Sequence, residues 1–227
     1  MNVLGVRVDE FTKQAALDRV LSFFVDGRQH TIFTPNPEML VDAQKDKEFQ
    51  KILNSGSLNI CDGKGIELVS RGKLKRIPGV DFLLDICRFA AEERKRIYLL
   101  GSLDGEVLQK TKRMLEEKFS GIQIVGIDPS DGDMEQIRAV APDILFVAFG
   151  HGKQEKWIYE NLLKLPSVRV AMGVGGAFDM LSGKTHRAPR LLRRFGLEWL
   201  WRLMIQPWRI GRIWKATVKF LYQYFIS

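Results

Sequence analysis

The sequence predicts an α/β domain built on a mostly parallel sheet, followed by a helical, basic and aromatic C-terminal appendage. Three observations carry this. Short apolar runs alternate with helical patterns over residues 1–180, and strand–helix alternation is what builds a parallel sheet. Several of the runs are β-branched and apolar throughout, as strands buried on both faces are. Around Gly183–Pro189 the pattern turns all-helical and basic.

In chain order, strands are predicted at VLGVRV (3–8), HTIFTP (30–35), LNIC (58–61), RIYLLG (96–101), IQIVGI (122–127), DILFVAF (143–149) and VRVAMGV (168–174). Helices are predicted near 12–26, 38–53, 81–94, 104–118, 131–139 and 153–164. Asp9, Asp81 and Asp104 stand where N-caps belong, because a short side-chain oxygen can accept from the free N–H groups of a first turn. No repeat, low-complexity tract or long linker divides the core, 1–183, and the appendage is 184–227.

At 227 residues the chain can bury one sizeable core and carry an appendage. Its net charge of +8 is unevenly placed. Ten of the 35 Lys/Arg but one of the 27 acids lie from Lys184 onward, so the last 44 residues carry +9 and the first 183 carry −1. Such asymmetry points to a polyanionic partner. Cys61 and Cys87 have neither metal nor disulfide spacing and read as reduced core thiols. The N-terminus MNVLGVRVDE has no apolar stretch of the signal-peptide kind. No uncharged apolar run approaches the ~18 residues that would span a bilayer.

The stretch EWLWRLMIQPWRIGRIWKATVKFLYQYF (198–225) holds four of the five Trp. Wound as a helix over 208–226, it places Arg209, Arg212, Lys215 and Lys219 on one arc. Ile210, Ile213, Trp214, Val218, Phe220, Leu221, Tyr224 and Phe225 fall on the opposite arc. A basic stripe opposite a broad aromatic face suits a helix lying in a membrane interface. The competing reading packs that apolar face on the protein's own core. Nucleic acid is not the partner expected, because the core lacks a basic face and the tail aromatics have helical rather than stacking-sheet spacing.

Ligands of open parallel sheets bind beyond the carboxyl ends of the strands. Those ends carry Thr34-Pro35-Asn36, Asp62-Gly63, Gly101-Ser102, Gly150-His151-Gly152-Lys153-Gln154 and Gly175-Gly176-Ala177-Phe178-Asp179. Small residues there allow close approach of a nucleotide, so Gly101, Gly150, Lys153, Gly175, Gly176 and Asp179 are candidate nucleotide contacts. By spacing alone, Asp62-Gly63 is first of all a turn and Thr34-Pro-Asn a capped turn. His151 reads as a loop histidine. The run before Lys153 fails the Walker pattern and GVGGAF fails the dinucleotide fingerprint. No cluster with metal-ligand spacing is read and no cofactor is called for, so a diphosphate would be met by helix N-termini and Arg/Lys.

Seven ordered blocks then converge: TPNPE (34–38), CDGKGIEL (61–68), RIPGVDF (76–82), YLLG (98–101), FGHGKQEKWI (149–158), GVGGAFDMLSGKTHRAP (173–189) and GLEWLWRLMIQPWR (196–209). They resemble the WecG/TagA/CpsF glycosyltransferases, within which the look is that of the teichoic-acid N-acetylmannosaminyltransferases. The resemblance implies a Rossmann-like core. It implies a UDP-sugar donor, typically UDP-N-acetylmannosamine, and an undecaprenyl-diphosphate-linked N-acetylglucosamine acceptor at the cytoplasmic membrane face. It implies inverting transfer without a divalent metal. Asp62 maps to the candidate base. Thr34 and Asn36 map beside the transferred sugar, Gln154 to the active site, and Arg76 to the residue before the Gly-x-Asp block. Arg202, Arg209 and Arg212 map to tail arginines that reach the diphosphate.

Gly152 stands where the family usually has Pro, implying a looser loop, and the segment between Ile127 and Pro142 lacks the family's aromatic turn. Other expectations stay open beside this one: another donor, such as an N-acetylmannosaminuronic acid or glucose nucleotide, a homo-oligomer, or a non-enzymatic membrane-binding module.

Overall fold

The computed structural model describes residues 1–102, 104–189, 191–192 and 195–226, with only the backbone at 202 and 209. Six strands form one sheet: β3 (His30–Phe33), β4 (Leu58–Asn59), β5 (Arg96–Gly101), β6 (Gln123–Asp128), β7 (Ile144–Ala148) and β8 (Val170–Gly173). Their order is β4-β3-β8-β7-β5-β6, and every neighbouring pair is parallel. The predicted fold class is therefore the observed one. Period-two alternation divides each central strand between two cores. Ile144 and Phe146 of β7 face a layer with α1 (Lys13–Ser22), α5 (Gly79–Glu92) and α6 (Gly105–Lys118). Leu145 and Val147 face a layer with α2 (Pro37–Ala43), α3 (Lys47–Ser55) and α8 (Lys153–Asn161). The remaining core helices are α4 (Lys64–Val69), α7 (Met134–Val140) and α9 (Ala177–Leu181).

Three predicted elements differ. VLGVRV is not one strand but a hairpin of β1 (Asn2–Val3) and β2 (Val6–Arg7), because Leu4 (φ 50°) and Gly5 (φ 77°) reverse the chain. The helix expected over 38–53 is two helices, because the Asp46 side chain accepts from Phe49 N and starts α3 anew. Of the expected caps only Asp104 caps a helix, accepting from Glu106 N and Val107 N. Thr12 caps α1, while Asp9 accepts from Asn59 N, and Asp81 lies inside α5 paired with Arg187.

Beyond the core run α10 (Glu198–Ile205), a 3₁₀ turn (Pro207–Arg209), α11 (Ile210–Trp214), a π turn (Lys215–Lys219) and α12 (Phe220–Ile226). The last three make one continuous helix over 210–226, and its two arcs face different ways. Part of its basic arc faces the core. Arg212 makes a two-pronged ion pair with Glu38 (Nε–Oε1 and Nη2–Oε2, both 2.9 Å), and Lys215 Nζ lies 2.5 Å from Asp42. Lys219, the next member, stands beside Lys45, whose proximity lowers its pKa. Phe220 is fully buried under the helix, and the Tyr224 hydroxyl donates to Val69 O. Of the other apolar residues, Ile213 is half-buried on the core side, while Trp214 is 62% exposed and Phe225 77%, with Ile210, Val218 and Leu221 also exposed. An acidic face on α2, far away in sequence, pulls the cations inward and turns the aromatics out.

Phe220 is the apolar anchor of this arrangement. Phe220→Ala should cost on the order of 3 kcal/mol of docking and packing. Limited proteolysis should then cut the tail while the α/β core resists; a tail as protected as in the wild type would refute the anchor.

Candidate active site

A cavity of about 790 Å³ lies across the carboxyl ends of β3, β5, β7 and β8, where open parallel sheets bind their ligands. β7 leads back towards β8 and β5 leads outward to β6, so their ends diverge at this point. Thr34, Asn36, Asp62, Gly150, Lys153, Gln154, Gly175, Gly176 and Asp179 all line it. With Arg212 of the tail, the structure thus brings together ten of the residues expected from sequence. Gly101 does not line it. A Cβ there would stand 2.8 Å from the Phe149 ring, so its bare Cα accommodates that ring, and Ser102 reaches the cavity instead.

A second cavity, about 370 Å³, opens between the core and the tail. Its core side carries Lys64, Arg76 and Leu68, and its tail side Trp199, Ile213, Phe220 and Leu221. Asn36, Asp62 and Arg212 line both cavities, so these three bound their junction. Arg76 opens on the tail-side cavity and pairs with Glu198 of α10. The side chains of Arg202 and Arg209 lie outside the described residues.

Each junction residue is held locally. The Asn36 side chain caps α2 by accepting from Met39 N at 3.0 Å, so the capped turn and the site residue are the same group. That bond uses the amide oxygen and leaves the amide nitrogen for a ligand. Asp62 N donates to Pro35 O at 3.0 Å, and Asp62 Oδ2 accepts from Gly79 N at 3.3 Å. A Cβ on Gly79 would stand 3.3 Å from that oxygen.

The β7–α8 loop is tighter than its sequence implies. Gly152 has φ +83° and donates its N–H to Glu155 Oε2 at 2.6 Å, the one half of a capping box open to an N-cap without a side chain. Proline could adopt neither that φ nor that donation, so glycine here marks a different loop path, not a loose one. Gln154 is 3% exposed; its Nε2 donates to Glu155 Oε1 and its Oε1 accepts from Gly175 N. It clamps the β7 and β8 loops together at the cavity wall.

Sequence reasoning passed over several groups. Asp131-Gly132-Asp133 is an Asp-x-Asp that it overlooked; Asp133 caps α7, and Asp131 accepts from Trp157 Nε1 through its carbonyl on the cavity rim. That bond pins the β6–α7 loop, and Trp157 also meets Phe149 of the β7–α8 loop edge to face. His151, set aside as a loop residue, bonds Asp42 through Nε2 at 3.0 Å, with Arg212 Nη2 3.4 Å from Nδ1. Glu38, Asp42 and His151 could offer three metal-ligand atoms within 4.8 Å of one another. Arg212 and Lys215 already occupy the two carboxylates, so side-chain cations neutralise the cluster. The outward aromatics of the tail were visible as a helical arc; the carboxylates that orient it had no local signal.

Burial raises the pKa of Glu155, against the hydrogen bonds it accepts from Gln154 and Gly152. A carboxyl that holds its proton more tightly folded than unfolded favours folding at low pH. That contribution declines as pH rises from the ordinary value of 4.5 towards the raised one. Glu155→Gln keeps an acceptor for Gly152 N and removes the charge. Chemical denaturation from pH 4 to 7 should show a flatter stability profile for the variant; an unchanged slope would contradict the raised pKa.

A family model described as "Glycosyl transferase WecG/TagA/CpsF family" matches residues 1–227. The N-acetylglucosaminyldiphosphoundecaprenol N-acetyl-beta-D-mannosaminyltransferases of Staphylococcus aureus strains NCTC 8325 / PS 47 and MRSA252 are each 30% identical, over 98% of this chain and 91% of theirs. That of strain MW2 is 29% identical over the same shares. With a full-length family match and a cavity at the sheet's carboxyl edge, the chain belongs to the WecG/TagA/CpsF family and is a glycosyltransferase.

Proposed function

We propose that the chain transfers N-acetylmannosamine from its UDP conjugate to N-acetylglucosamine on a polyprenyl diphosphate, a step in building a cell-wall or surface polysaccharide such as the teichoic acid linkage unit. The observation that carries this reading is the position of Asp62, where a strand-end cavity meets a cavity walled by the tail. The larger cavity takes the nucleotide sugar, at the glycine-rich ends of β7 and β8. The smaller takes the acceptor, with polar residues near Asp62 and apolar ones towards the tail. The names of the similar S. aureus proteins supply the two sugars.

In this reading Asp62 accepts the proton of the acceptor hydroxyl as that oxygen bonds the anomeric carbon. The bond from that carbon to the diphosphate breaks on the opposite face, and its electron pair leaves with UDP. One displacement inverts the centre and needs one base. A sugar hydroxyl is far less acidic than a carboxylic acid, so the proton moves late. Asn36 and Thr34 orient the sugars, Gln154 holds the wall beside them, and Arg76 and Arg212 meet diphosphate charge from opposite sides of the smaller cavity. No metal has a step in this scheme.

The tail, 184–227, completes the site and rests on the cytoplasmic membrane face. Among the described residues no helix is long and apolar enough to cross a membrane. A water-facing surface carrying Trp208 (74% exposed), Trp214 and Phe225 is costly unless lipid covers it.

The first test is UDP release from UDP-N-acetylmannosamine with and without a short-chain prenyl-diphosphate N-acetylglucosamine, in chelator and in added Mg²⁺. Acceptor-dependent, chelator-resistant release is expected. Asp62→Asn should retain UDP affinity and lose roughly a hundred- to ten-thousand-fold in turnover; full turnover would remove the base assignment. Replacing Trp208, Trp214 and Phe225 together with Ala should reduce co-sedimentation with anionic vesicles and transfer to long-chain acceptor, sparing the short-chain one. Equal vesicle binding would sink the membrane role.

A further inference from the structure

We propose that Glu38 is a positioning residue: it holds the Arg212 guanidinium over the junction of the two cavities, so that the site is complete only when the tail is docked. The proposal rests on the transferase reading above. Glu38 is buried and sits in the first turn of α2, a turn made rigid by Pro37 and by the Asn36 cap. Its carboxylate therefore has a fixed place relative to Asn36. It takes the Nε and Nη2 edge of Arg212, with contacts of 2.9, 3.1 and 2.9 Å. A planar guanidinium held along one edge is fixed in orientation as well as place. The opposite nitrogen, Nη1, is turned away from the carboxylate and left for an anion.

Two further contacts brace the same group. Asp42, one turn along α2, pairs with Lys215, which lies on the same face of the tail helix as Arg212. His151 bonds Asp42 through Nε2 at 3.0 Å, and its Nδ1 lies 3.4 Å from Arg212 Nη2. The β3–α2 turn, the β7–α8 loop and the tail thus meet at one guanidinium. The Glu38 carboxylate would lose this partner if the tail undocked, so the core is built to receive this arginine.

The test is steady-state kinetics of the full-length protein with the short-chain acceptor, comparing wild type, Glu38→Gln, Glu38→Asp, Arg212→Lys and the Glu38→Gln/Arg212→Lys double variant. UDP affinity is measured in parallel. For Glu38→Gln we expect kcat/KM for the acceptor to fall ten- to hundredfold with UDP affinity within twofold of wild type. Glu38→Asp should recover part of the loss, and the double variant should be no worse than the poorer single one, as coupled residues behave. An active wild type with Glu38→Gln within twofold of it overturns the proposal, as does a double variant whose losses multiply. Loss of UDP binding in both Glu38 variants would make the residue one of general folding and also overturns it. A wild type without acceptor-dependent release overturns the transferase reading and this proposal together.

Discussion

The pairing of two α2 carboxylates with two tail cations is the interaction on which the rest of the arrangement depends. Glu38 and Asp42 lie one helical turn apart and would repel each other alone. Arg212 and Lys215 oppose them at matching spacing. An isolated surface pair contributes little, but Glu38 is buried, and an unpaired buried carboxylate is costly. The pairing therefore selects one face of the tail helix. With cations committed inward and Phe220 as the anchor, the aromatics have nowhere to go but out. The orientation that closes the smaller cavity is the same one that presents Trp214 and Phe225 to a surface.

The catalytic geometry proposed here follows from a rigid frame. Parallel strands bring six loops to one edge, and five of them are fixed by specific bonds: the Asn36 cap, the Asp62 contact with Gly79, the Gly152 bond to Glu155, the Gln154 clamp and the Trp157 contact with Asp131. Two residues whose first reading was contact with ligand serve this frame. Gln154 is bonded at both ends of its amide, and Gly101 makes room for Phe149. Preorganisation of this kind is what lets a single carboxylate act as a base without rearranging its surroundings.

Much of this was legible in the chain. Sustained apolar runs marked β5, β7 and β8 because both faces of those strands are buried, leaving no ambiguity of side. VLGVRV misled because two residues at positive φ turn it, and apolar composition does not report φ. The split after Ala43 was missed although its signal is local, since Asp46 accepts from Phe49 N three residues on. Among site residues, motif blocks pointed to Thr34, Asn36, Asp62 and Gln154. Glu38 and His151 were passed over, since neither has meaning until its distant partner arrives, Arg212 for Glu38 and Asp42 for His151.

By itself, the sequence determined the α/β class, the parallel sheet, the glycine-rich strand ends and an amphipathic basic tail, because these depend on local periodicity and composition. Only the tertiary structure decided which way the tail faces, that Asp62 stands between two cavities, and that Arg212 reaches across both. Those facts depend on side chains more than 150 positions apart, and their energy is that of one buried charge finding its partner.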